Sequence, residues 1–257
     1  MDAIVQIKDR IALVTGASRG IGAATAQVLA RRGVRVAVAG RTASDLENVV
    51  AGIRREGGQG LAVVCDVMDP DQVQRMVARV LEEWGRLDIL VNNAGRGSPS
   101  VPVEEVSIED WDHSLSLNLK SAFLCVRAVA PVMKRQGYGR IVIVSSLAGR
   151  FYGRMTAPHY GAAKAGLLGL TRNLAVELGP YGICVNAVVP SLALTPRLKA
   201  QIDALTEEAR QRLLSGIPLR RLAEPEEVAA AIAFLASDDA SYINGVSLDV
   251  NGGTYMA

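Results

Sequence analysis

The sequence predicts an α/β fold, a doubly wound parallel sheet of about seven strands with helices on both faces, built as one Rossmann-type domain over residues 1–257. Three observations carry that expectation. Short apolar runs rich in β-branched residues recur along the whole chain, as parallel strands buried on both faces require. Stretches of helical period separate them, so the crossovers between parallel strands are helices. A glycine-rich turn, TGASRGIG, stands between the first run and the first helix, where such folds receive a ligand.

In chain order the strands are IALVT, VRVAVAG, LAVVC, LDILVNN, RIVIVSS, ICVNAVV and VSLDV. Helical period fills Gly22 to Arg32 and Pro70 to Trp84, the latter opened by Pro70 and Asp71 and closed by Gly85. A further helix begins near Pro158 and stops at Gly179 and Pro180, and EPEE marks another helix start. Residues 192–217 carry no clear periodicity, and a lid over the site falls there.

Composition excludes several function classes. The chain has 257 residues, 49% hydrophobic and 21% charged, and its 28 basic residues against 26 acidic ones are scattered rather than gathered on one face. That pattern suits neither nucleic acid nor a charged membrane. Cys65, Cys125 and Cys184 are far apart in apolar runs with no CxxC pair, the pattern of small core residues in a reducing compartment, and no metal site is expected. No run reaches the roughly 18 apolar residues that span a bilayer, and the start lacks a basic end followed by a long apolar stretch. The expectation is a cytoplasmic protein.

Gly16, Gly20 and Gly22 let the chain turn sharply and bring backbone N–H groups at the positive end of a helix against a pyrophosphate. At the end of the second strand, where an acid would bind a ribose 2′-hydroxyl, stand Gly40 and Arg41. With Arg19 in the glycine turn, two guanidinium groups are available to a 2′-phosphate, which points to NADP(H).

Of six tyrosines, only Tyr160 has a lysine four residues on. On a helix starting near Pro158, Tyr160 and Lys164 lie one turn apart on one face, at the carboxyl edge of the sheet. Proton transfer to or from an oxygen needs such a pair, because a free tyrosine titrates near 10 and a nearby ammonium lowers it. Gly161, Ala162, Ala163, Ala165 and Gly166 leave the helix nearly bare, as close approach of a bulky group requires. Ser145 and Ser146 end the fifth strand; one caps the following turn and the other donates to a substrate carbonyl.

Taken together, TGASRGIG, NNAG at residues 92–95, Asn118 in SLNLKSAF, Ser146 and YGAAK resemble the short-chain dehydrogenase/reductase family over essentially the whole chain. The C-terminal FLASDDASYINGVSLDVNGGTYMA is similar to bacterial 3-oxoacyl-carrier-protein reductases. The resemblance implies Tyr160 as the acid that protonates the alkoxide and Ser146 as the carbonyl-orienting donor. It implies Lys164 as the group that lowers the tyrosine pKa and binds the nicotinamide ribose, with Asn118 holding a water behind it. For the cofactor it implies Gly16, Ser18, Arg19, Gly20, Ile21 and Gly22 at the turn, Arg41, Asp66 and Val67 toward adenine, Asn93 beside the ribose and Thr195 at the carboxamide. Ser145 is then structural, Tyr152 part of the substrate wall, and the assembly a homotetramer.

Three positions depart from the family pattern. Ser191 follows Pro190 where glycine is usual, Ser146 and Tyr160 are fourteen positions apart where thirteen is usual, and Arg96 follows NNAG where an apolar residue is common. Sugar-nucleotide epimerases share YxxxK but have a shorter glycine spacing and an extra domain; enoyl reductases place tyrosine and lysine further apart, and position 167 here is Leu167. A cofactor-sensing regulator would be expected to have lost one of serine, tyrosine or lysine. Basic residues that meet a carrier protein in such reductases are replaced by Tyr138 and Tyr181, leaving Arg135 and Arg172 nearby, while Arg96, Arg150 and Arg154 sit on loops that border the pocket or carry solvated charge. The expected substrate is a small carbonyl compound or short 3-oxoacyl thioester.

Overall fold

The computed structural model describes residues 7–151 and 156–256. Its strands are β1 (Ile11–Thr15), β2 (Arg35–Gly40), β3 (Gly60–Val64), β4 (Ile89–Asn92), β5 (Gly139–Val144), β6 (Ile183–Pro190) and β7 (Ser247–Val250). They form one sheet in the order β3-β2-β1-β4-β5-β6-β7, every pairing parallel. The order reverses between β1 and β4, and that switch point opens the crevice used below.

Alternation along each strand divides the core in two. Ile11, Leu13, Ile141 and Ile143 face one side, where they pack on α3 (Pro70–Trp84), α5 (Ser121–Gln136) and α6 (Pro158–Leu178). Ala12, Val14, Val142 and Val144 face the other, covered by α1 (Gly20–Arg31), α2 (Ala43–Arg55) and α9 (Pro225–Leu235). Asp69 caps α3, accepting from the N–H groups of Asp71 and Gln72 at 2.9 and 3.1 Å, and Gly85 ends it at φ 76. α6 stops at Leu178 with Gly179 as its C-cap, as expected. Gly179 stays right-handed and begins a single 3-10 turn, and the reversal is made by Gly182 at φ 73.

The segment without a clear periodicity folds as α7 (Pro196–Asp203) and α8 (Glu207–Ser215). Ile202, Ile217 and Leu222, with Leu194, Leu198 and Leu213, form a small core of their own beside the sheet. A continuous helix runs from 108 to 136 through α4 (Ile108–Leu115), a π turn (Ser116–Lys120) and α5. Contrary to the expectation from the sequence, it is long and apolar enough to cross a bilayer; half of its most apolar stretch is buried inside the protein, which accounts for those residues.

Cys65 and Cys125 are buried as expected, and burial pushes their thiols up to about 11 and about 12. Cys184 is only partly buried, because β6 puts it at the start of the strand where its sulfur faces the Ser241 carbonyl. At the amino edge of the sheet Tyr138 lies between two guanidinium groups, Arg10 at 3.8 Å and Arg140 at 4.5 Å from the ring centre, and donates to Asp238 at 2.9 Å. Arg10 and Arg140 both pair with that same Asp238, at 3.2 and 3.1 Å.

Candidate active site

At the carboxyl edge the chain leaves β1 through Gly16 and Gly20, both left-handed at φ 62 and 57. A Cβ on Gly16 would stand 2.8 Å from the Ala94 Cα, and one on Gly22 would stand 2.4 Å from the Gly16 carbonyl oxygen. Only glycine fits these positions. Arg19 is the N-cap of α1 and adds no side-chain bond to its first turn, so no capping side chain competes for those N–H groups. Asn93 was expected beside a ribose. The residue lines the cleft, and its amide braces the turn, donating to the Thr15 and Gly16 carbonyls at 3.0 Å each.

From this turn a cleft of about 510 Å³ runs across the switch point, and Ser18, Ile21, Arg41, Asp66, Val67 and Thr195 all border it. Toward β2, Gly40 lies close to Ser18, and Arg19 and Arg41 are exposed at the rim. Asp66 accepts from its own turn, the Met68 N–H at 3.0 Å, which fixes the loop after β3. Thr195 caps α7, accepting from the Leu198 N–H at 3.3 Å, and its methyl sits over Gly20.

At the other end stand the serine, tyrosine and lysine. Ser145 is buried and donates to the Lys164 carbonyl at 2.8 Å, tying β5 to α6, a structural role as expected. The turn cap, however, is Ser146, whose Oγ accepts from the Ala148 N–H at 3.2 Å. Ser146 also borders the cleft with Tyr160, and its hydroxyl lowers the phenol's pKa.

The Lys164 ammonium stands over the Tyr160 ring and is anchored to the end of β5. Its Nζ donates to the Val144 carbonyl at 2.8 Å and lies 5.8 Å from the centre of the tyrosine ring. Burial raises the phenol above its ordinary value, and what opposes it is the Ser146 hydroxyl and then the Arg197 guanidinium. Burial also pushes Lys164 down, to about 8.

Asn118 sits in the π turn with its side chain fully used. Its Oδ1 accepts from the Arg96 N–H at 2.8 Å, and its Nδ2 donates to the carbonyls of Ser114 and Arg96. Gly95 passes between Asn118 and Lys164, where a Cβ would be 2.8 Å from the one and 3.3 Å from the other. Asn118 thus anchors the loop that floors the cleft beside Lys164.

Two features were not foreseen. Arg197, in the first turn of α7, borders the cleft and donates to the Gly97 carbonyl at 3.2 Å; the only cue was its place two residues after Thr195. Arg150 is not solvated charge, since it pairs with Asp249 at 3.3 Å and donates to the Ser247 carbonyl at 2.9 Å, clamping β7. Tyr152 and Arg154 lie outside the described residues. No group of three or more potential metal ligands occurs among the described residues.

Comparison with known proteins agrees with this geometry. The family model described as enoyl-(acyl carrier protein) reductase matches residues 16–255. A 3-oxoacyl-(acyl-carrier-protein) reductase of Staphylococcus aureus is 41% identical over 247 residues, covering 95% of this chain and 98% of the relative. The cis-4-hydroxycyclohexanecarboxylate dehydrogenase of Sinomonas cyclohexanicum is 42% identical, covering 95% and 96%. Among solved structures, an actinorhodin polyketide ketoreductase with NADPH superposes with a TM-score of 0.91 at 34% identity, over 95% of this chain and 97% of that one. With the glycine turn, the parallel sheet and the relatives in agreement along nearly its whole length, the chain belongs to the short-chain dehydrogenase/reductase family and is an oxidoreductase acting on CH-OH and C=O groups.

Proposed function

We propose that the protein is an NADPH-dependent ketoreductase that interconverts a carbonyl and a secondary alcohol on a small compound or short 3-oxoacyl thioester. The observation that carries this reading is that Ser146, Tyr160 and the buried Lys164 all border one cleft with the glycine turn. The family uses nicotinamide cofactors, and the residues fit one: the tight glycines and the uncapped first turn of α1 leave a cradle that a Cβ would fill. Gly16, Ser18, Gly20, Ile21 and Gly22 would hold the pyrophosphate, Arg19 and Arg41 a 2′-phosphate, Asp66 and Val67 the adenine side, and Asn93, Lys164 and Thr195 the nicotinamide side. When bound, the cofactor supplies or accepts the hydride.

The chain's own residues do the rest. Ser146 orients the carbonyl oxygen, and Tyr160 gives its phenolic proton to that oxygen as negative charge develops there. Lys164 supplies positive charge behind the pair, and Asn118 holds the loop against which Lys164 packs.

The four-residue step from Tyr160 to Lys164 favours carbonyl over enoyl reduction. The relatives named as 3-oxoacyl and polyketide ketoreductases support the same chemistry. We take the whole chain as one NADP(H)-binding domain, cytoplasmic, assembled as a homotetramer and independent of a carrier protein. Tyr160→Phe tests the reading. It should leave the fold and NADPH binding intact and lower kcat by about a hundredfold or more, the scale of a lost general acid; retention of most activity would refute it.

A further inference from the structure

We propose that Arg197, with Arg96 on the same cleft, is an anion-recognition site that selects substrates carrying a carboxylate near the reacting carbonyl. The proposal rests on the ketoreductase reading for where the substrate sits, and adds the class of substrate. Arg197 projects from the first turn of α7 across the cleft to the Gly97 carbonyl, 3.2 Å away. Gly97 is itself against the catalytic tyrosine, since a Cβ there would lie 4.0 Å from the Tyr160 Cζ. The guanidinium is therefore tethered near the phenol at the exposed rim of the cleft.

The hydrogen bond to Gly97 occupies one of the five guanidinium donors, leaving a fork able to take a carboxylate. Arg96 borders the same end of the cleft, its backbone pinned by Asn118. Among the described residues, neither arginine is in an ion pair and no acid borders the cleft beside Tyr160; the one lining acid, Asp66, stands after β3 and is committed to its own turn. Several arginines elsewhere are paired, Arg10 and Arg140 with Asp238 and Arg150 with Asp249. A cleft end carrying Arg96, Lys164 and Arg197 attracts an anion and disfavours a cation.

The test uses the purified protein saturated with whichever nicotinamide dinucleotide it binds more tightly. Cyclohexanecarboxylate and cyclohexanecarboxamide, which have the same shape and no reducible carbonyl, are titrated calorimetrically. We expect the carboxylate to bind at least tenfold more tightly, Arg197→Leu to bring the ratio to within about twofold of unity, and Arg197→Lys to keep part of it. Equal binding by the unaltered protein, or a ratio that survives Arg197→Leu, overturns the proposal. Turnover of 4-oxopentanoate against its methyl ester reads the ketoreductase assignment separately. A carboxylate preference in binding without turnover of either compound would sustain the anion site and refute the ketoreductase.

Discussion

Replacing Lys164 by methionine should make the folded protein more stable at pH 7, and the gain should disappear near pH 10. Lys164 is 3% exposed, and burial holds its pKa at about 8 against an ordinary 10.5. Below pH 8 the folded state keeps a buried ammonium, which at about 1.4 kcal/mol per pKa unit costs about 3 kcal/mol. Between 8 and 10.5 the unfolded chain holds more protons on this residue than the folded one, so the cost fades as pH rises. Methionine removes the charge and loses the hydrogen bond to the Val144 carbonyl, worth about 1 kcal/mol. The net expectation is about 2 kcal/mol at pH 7 and about zero at pH 10. Urea unfolding at the two pH values, followed by tryptophan fluorescence, measures it. A variant less stable at both, or one whose difference is the same at both, would show that Lys164 is not held at a cost. Such a cost is what a functional group imposes on the fold that carries it.

NADPH should be used at least about tenfold better than NADH, since Arg19 and Arg41 offer two charge-assisted contacts of about 1.5 kcal/mol each. Arg41→Asp should weaken NADPH use far more than NADH use, and equal kcat/KM with both cofactors in the unaltered protein would contradict this. One 3-oxoacyl group should turn over similarly on carrier protein and on a pantetheine mimic. A carrier advantage of about a hundredfold, abolished by neutralising Arg135 or Arg172, would refute that. Light scattering at micromolar concentration should give a tetramer, and a monomer would contradict it.

All seven strands were legible because parallel strands buried on both faces read as unbroken apolar runs, and the helix ends at Pro70 and Gly85 because their caps are chemically explicit. Residues 192–217 were not, since the leucines of α7 and α8 pack on one another and leave no stripe aimed at the sheet. In the site, the spacing of Tyr160 and Lys164 fixed a shared helix face but not where a four-carbon side chain would send its ammonium. It goes to the Val144 carbonyl, a strand-end acceptor that no local pattern announces. The bracing by Asn93 was not legible for a similar reason, because its amide meets backbone carbonyls 77 and 78 positions earlier. Arg197 escaped notice as a single basic residue in a stretch without periodicity.

The stack of Arg10, Tyr138 and Arg140 on Asp238 has a bearing on biosynthesis. Arg140 is nearly fully buried, and the acid that neutralises it comes 98 residues later, while the same acid meets Arg10 across 228 residues. A ribosome must release almost the entire polypeptide before that carboxylate exists to be met. Until then the fifth strand carries a buried cation whose acid partner has not been made, its guanidinium held only by carbonyls such as that of Gly139. Nascent fragments ending before Asp238 should therefore stay open and chaperone-bound, with completion of the sheet deferred to the last moments of synthesis.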